Sequence, residues 1–160
     1  MSTHHATIRW ALGPDEDFTG RRYSRAHRWQ FDGGADVAAS SSPTVVRLPF
    51  SDPSAVDPEE AFIAALSSCH MLWFLDLAAR AGYVVRGYVD PAEGLMAPNE
   101  AGQDAITEVM LRPEVQFGGA KAPDEAAVQA LHHAAHEHCF IANSVRSTVR
   151  CEGSWSYLAT

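Results

Sequence analysis

The stretch DPEEAFIAALSSCHMLWFLDLAARAG, residues 57–82, decides the fold. It begins with helix-start chemistry: Asp57 in the N-cap position, Pro58 in the first helical position, and Glu59 and Glu60 in the first turn. Glu60 stands three residues after Asp57, as in a capping box, where the cap side chain and the third-position carboxylate each satisfy a backbone N–H at the helix start. Gly82 supplies the stop, because glycine adopts the left-handed conformation that closes a helix. The residues between predict one helix from Pro58 to about Ala81. Its apolar residues fall on nearly every side, the pattern of a helix buried in a core or an interface rather than laid on a surface.

Upstream, RRYSRAHRWQF (residues 21–31) places Tyr23, Trp29 and Phe31 at alternating positions and runs into Asp32-Gly33-Gly34, a turn signal, so a hairpin is expected. Two more short strands follow, Ala35–Ala39 and Thr44–Phe50, separated by Ser40-Ser41-Ser42-Pro43. Downstream, strands are expected over Tyr83–Val89 and Ala105–Phe117, joined by a polar loop around Pro98-Asn99-Glu100. A second helix opens at Ala122-Pro123-Asp124 and runs to about Cys139, and Ser144–Trp155 closes the chain as a strand. The order β, long helix, β, helix, β defines an α+β class. With no internal repeat and no dividing linker, residues 1–160 read as a single domain.

The bulk composition narrows the function. Of 160 residues, 46% are hydrophobic and 20% charged, ordinary values for a globular protein. No run is judged to approach the roughly 20 apolar residues that span a bilayer, so a soluble protein without membrane contact is expected. Residues 1–10 lack the basic-then-apolar pattern of a secretory signal, which predicts a cytoplasmic location. Twenty acidic against 12 basic residues, a formal charge of −8, disfavour nucleic acid as a partner. Three cysteines are an odd number for a disulfide framework in a reducing compartment and point to chemistry or simple burial.

Cys69 sits in SSCHM, among small residues that leave room over the sulfur. Cys139 ends AHEHCFIANS, with His133, His136 and His138 just upstream. A metal alternative exists here, because His132, His136 and Cys139 are spaced i, i+4 and i+7 and would share a helix face. No second cluster supplies a fourth ligand at a characteristic spacing. A cysteine–histidine hydrolase is set aside, since Cys69 and His70 are adjacent on a helix and point about 100° apart.

The string DPEEAFIAALSSCHMLWFL, followed about 70 residues later by AHEHCFIANS, resembles the two cysteine motifs of the OsmC and organic-hydroperoxide-resistance family. The resemblance runs from about Arg21 to the end. It implies antiparallel sheets packed on a long central helix in an intertwined homodimer. It also implies a peroxidatic Cys69 that becomes a sulfenic acid, and a Cys139 that resolves it as a disulfide, a cycle that keeps the first thiol from over-oxidation. The family glutamate, ten residues ahead of the first cysteine, falls on Glu59. The family arginine falls on Arg25, with Arg28 second, and would stabilise the thiolate and the developing alkoxide while Glu59 holds its guanidinium. Within one straight helix Glu59 stands about 15 Å from Cys69, so either the helix breaks or another chain supplies the pair. Phe62, Leu72, Trp73, Phe74 and Phe140 would line an apolar approach suited to an organic hydroperoxide. A small dithiol or a lipoyl-bearing protein would be the reductant; neither cofactor nor metal is implied. Phe140-Ile141-Ala142, where the peroxide-resistance branch has Pro-Tyr-Ser, and the absence of a glycine-rich run before Glu59 suggest an OsmC-like side branch. Cys151 matches no family role and is expected to be a structural strand residue. The rival function is a non-enzymatic protein holding a metal or small ligand on the His- and Cys-bearing second helix.

Overall fold

The computed structural model describes residues 1–159, which form two compact units meeting in sequence at Ala61 and Phe62. The first unit contains a three-stranded antiparallel sheet, β1 (Ala6–Arg9), β2 (His27–Phe31) and β3 (Asp36–Ala39), in the order β1-β2-β3. The hairpin between β2 and β3 is where Asp32-Gly33-Gly34 predicts it, and Gly34 takes a positive φ of 88° that a side chain would resist. Strand β1 was not expected; it is only four residues, too short to show a period. The strand expected over Thr44–Phe50 does not form. That segment turns repeatedly, with Pro43 and Pro49 each removing a backbone donor that a ladder would need. Ala39 is the only fully buried apolar residue of this unit, while Ile8, Trp10 and Phe31 are exposed.

Helix α1 (Pro58–Arg80) is unbroken over 23 residues. The capping box closes as predicted: the Glu60 N–H donates to Asp57 Oδ1 at 2.7 Å, and the Asp57 N–H donates to Glu60 Oε2 at 3.2 Å. Gly82 follows with φ 77°. By length and composition alone α1 would cross a bilayer, contrary to the sequence expectation that no run approaches that size. Leu66, His70, Phe74 and Ala78, spaced at i+4, are instead packed inside the protein.

The second unit carries two three-stranded sheets. One is ordered β4-β7-β9, from Val84–Val89, Glu114–Gly118 and Ser154–Tyr157; the other is β5-β6-β8, from Glu93–Pro98, Asp104–Leu111 and Thr148–Cys151. Each has the antiparallel ladder that the resemblance implied, β4 with β7 and β5 with β6, and adds a parallel one, β7 with β9 and β6 with β8. The single strand expected over Ala105–Phe117 is two: Arg112-Pro113 interrupts it, and its halves join different sheets. The expected closing strand likewise divides at Glu152-Gly153. Strand β5, read as loop, pairs with β6; its Gly94 lies so near Ile63 that an added Cβ would meet that side chain at 2.6 Å.

Helix α2 (Glu125–His138) is capped by Asp124, whose carboxylate accepts the Ala127 N–H at 2.8 Å. Two apolar clusters hold the unit. Phe74, Ala78, Val115, Phe117, Val128, Leu131 and Ala135 join both helices to β7, and Leu66, Val109 and Leu111 join α1 to β6. Burying a side chain such as Phe74 or Leu66 contributes about 1.5–3 kcal/mol. His70 lies between Leu66 and Phe74 on the same stripe, so α1 passes from one cluster to the other through a buried imidazole.

Candidate functional site

Cys69 and Cys139, 70 residues apart in sequence, are brought together. Cys69 faces out of the middle of α1 and is partly exposed; Cys139 caps the end of α2 and has no exposed surface. Burial, and then the hydrogen bond to Cys69, push the Cys139 thiol up to about 11. Cys139 therefore keeps its proton near neutral pH, beside a Cys69 sulfur that solvent reaches.

The second motif folds to hold this geometry. The Cys139 backbone is extended (φ −64°, ψ 112°) and ends the helix, and the Ala142 N–H donates to Cys139 Sγ at 3.3 Å. The Asn143 amide donates to the carbonyls of Glu137 and Cys139 at 2.9 and 3.0 Å, satisfying groups that a helix end leaves unpaired. A 3-10 turn at Ala142–Ser144 follows. One turn beyond Cys69, Trp73 stacks on His138 at 5.0 Å and meets Phe140 edge-on at 5.5 Å.

Of the five residues expected to line an apolar approach, Leu72 and Phe140 are exposed, at 62% and 68%, and Trp73 is grouped with Phe140. Phe74 is fully buried against Tyr88, Phe117 and His132, and Phe62 packs on the Leu66 cluster, so both serve the core. A cleft of about 930 Å³ bordered by Phe62, Asn99, Thr107 and Arg146 has neither Cys69 nor Cys139 in its lining.

Glu59 is in the first turn of α1, as expected, but makes no ion pair among the described residues. Arg25 does not meet it. The Arg25 guanidinium donates to the carbonyls of Arg21 and Tyr23 and lies 3.7 Å over the Tyr23 ring. Arg28 instead pairs with Asp36 at 2.8 Å across the β2–β3 hairpin, so its charge is already matched. Between the two candidate arginines, Arg25 is the one that makes no close ion pair among the described residues, although its charge acts on Glu16.

The metal alternative on α2 does not assemble. His132 is buried and turned toward α1, and Cys139 meets Cys69. What sequence reading missed is a different cluster: His70, His132 and Cys151. His70 Nε2 lies 3.1 Å from His132 Nδ1, and Cys151 Sγ lies 3.8 Å from His70 Nε2. Burial, with smaller effects from His132 and His136, holds the His70 imidazole down at about 4; burial does the same for His132, partly offset by Asp90. Burial and then Asp90 push the Cys151 thiol up to about 11. No spacing rule could have joined residues on two helices and a strand.

The described residues thus define an α+β protein in which two cysteines distant in sequence meet where one helix ends against another. The chain belongs to the OsmC-like protein family, whose sequence profile matches residues 51–153. A solved OsmC-like protein of unknown function from Vibrio cholerae is 50% identical, with TM-score 0.94 over 96% of this chain and 100% of that one. An OsmC-like protein from Mycoplasma pneumoniae shares 12% identity at TM-score 0.72, over 96% of this chain and 97% of that one. An organic hydroperoxide resistance protein from Elizabethkingia anophelis shares 18% at 0.65, over 99% and 98%. The last two establish likeness of fold. No curated protein sequence matches.

Proposed function

We propose that this protein is a thiol-dependent peroxidase that reduces organic hydroperoxides, with Cys69 peroxidatic and Cys139 resolving. The observation that carries it is the meeting of a partly exposed thiol, Cys69, with a fully buried one, Cys139. The Cys69 thiolate attacks the O–O bond of ROOH; the bond breaks, Cys69 becomes Cys69–SOH, and the alkoxide takes a proton to leave as ROH. The Cys139 sulfur then attacks the sulfenic sulfur, forming the disulfide, and its proton leaves with the hydroxyl as water. A dithiol, small or lipoyl-bearing, reduces the disulfide and is itself oxidised. Trp73, Leu72 and Phe140 offer an apolar approach for R.

Arg25 and Glu59 act from the partner subunit of a homodimer in this proposal. Glu59 stands ten positions before Cys69 on a helix that does not break, and Arg25 makes no close ion pair among the described residues. The dimer reading draws on α1, where only four of 23 residues are buried in the single chain, and on the exposed apolar residues of the β1–β3 sheet. The family match crosses Ala61–Phe62, which favours treating the chain as one OsmC-like domain; a cytosolic location suits the reduced thiols.

The test is consumption of cumene hydroperoxide and hydrogen peroxide with excess dithiol. Turnover should favour the organic peroxide and vanish with Cys69→Ser, while Cys139→Ser should react once and then over-oxidise at Cys69. No turnover in the native protein, or equal turnover in Cys69→Ser, overturns the proposal.

A further inference from the structure

The His70, His132 and Cys151 cluster has no part in the peroxide chemistry. His70 comes from mid-α1, His132 from α2 and Cys151 from the end of β8. His70 and His132 are 1% and 9% exposed, and the ring of Phe74 stacks on His132 at 4.3 Å. The ordinary account of two close imidazoles is a neutral hydrogen bond, and 3.1 Å permits one. It is an incomplete account. Whichever ring donates, His70 Nδ1 or His132 Nε2 is left carrying a buried N–H, and neither atom has a partner. Tyr88 Oη, at the same cluster, is also buried without one.

The spacing of the donor atoms says more. Zinc–nitrogen bonds of about 2.0–2.1 Å and zinc–sulfur bonds of about 2.3 Å, at tetrahedral angles, put two nitrogens about 3.3 Å apart and a nitrogen and sulfur about 3.6 Å apart. The observed separations are 3.1 and 3.8 Å. One donor atom from each of the three residues lies within 4.8 Å of the other two. Asp90 adds a negative charge whose field reaches both His132 and Cys151; it is held in place by the Ser67 hydroxyl and the Arg112 N–H. A charge so placed favours a cation.

We propose that His70 Nε2, His132 Nδ1 and Cys151 Sγ form a binding site for one borderline-soft divalent ion of the zinc or cobalt kind, its fourth position taken by water. Two imidazoles and a thiolate match that class, and three protein ligands leave a tetrahedral ion one open position. The Cys151 thiol loses its proton to solvent on coordination. The site is independent of the peroxidase proposal, because it uses neither Cys69 nor Cys139.

The test is made in Cys69→Ser/Cys139→Ser full-length protein, where Cys151 is the remaining sulfur donor of cysteine type. Chelator-treated protein is titrated with cobalt(II). The expected result is one equivalent bound, with tetrahedral visible bands, a thiolate-to-cobalt charge-transfer band, and displacement of both by zinc. X-ray absorption of the zinc form should show one sulfur at about 2.3 Å and nitrogens at about 2.0–2.1 Å. Adding Cys151→Ser should abolish the charge-transfer band, and His132→Gln should weaken binding by more than the roughly 10- to 100-fold that loss of an outer-shell partner costs. If the double background does not fold by circular dichroism, the same comparison is made between the native protein and Cys151→Ser. Cobalt bound only through nitrogen and oxygen, as at the exposed histidines, or bound equally after Cys151→Ser, overturns the site.

Discussion

Cys69 and Cys139 carry the same functional group and differ by environment. Cys139 is enclosed at the end of α2; Cys69 opens to solvent on α1. Because a thiol alkylates through its anion, and the Cys139 pKa is pushed up to about 11, Cys139 stays protonated at pH 8 as well as enclosed. Iodoacetamide at pH 8 on the native, reduced protein should therefore label Cys69 well ahead of Cys139, and denaturant should remove the difference. Peptide mass spectrometry reads this directly; equal native labelling would contradict the enclosure of Cys139. Which thiol is buried was not legible in the sequence, since both motifs are surrounded by small and apolar residues and only the end of α2 encloses one of them.

At the scale of elements, the helix starts were the most legible features. Asp57, Pro58 and Glu60 satisfy their own neighbours, so their message does not depend on the rest of the chain. Asp57→Ala should lower stability by about 1 kcal/mol, with Asn restoring most of it, read as a shift in urea midpoint at unchanged slope. A change in slope, or no shift, would mean that packing along Leu66, His70, Phe74 and Ala78 alone sets the start of α1. The strands were less legible. β5 contains Gly94 and Pro98 and becomes a strand because β6 supplies its ladder; the split of Ala105–Phe117 depends on Arg112-Pro113 sending β6 and β7 to different partners. Strand pairing is a property of two segments, and a period within one of them cannot report it.

Over the whole molecule, the buried stripe of α1 accounts for only part of an apolar helix. Ala65, Ser68 and Leu72 lie on an exposed face, with Leu72 at 62%. Under the dimer proposed above, that face is covered by a second copy. Sedimentation should give twice the chain mass of 17.4 kDa, and Leu72→Glu should weaken association by roughly tenfold or more while leaving the monomer folded, because a buried unpaired carboxylate is costly and an exposed one is not. An unchanged dimer in Leu72→Glu would place the interface elsewhere. The sequence by itself determined the helix boundaries, the α+β class and the two cysteine motifs, because capping chemistry, hydrophobic period and motif spacing are written in residues close along the chain. Only the tertiary structure decided that Cys139 is the buried thiol, that β6 and β7 part company, and that His70, His132 and Cys151 converge, since each depends on distant segments meeting in one packed core.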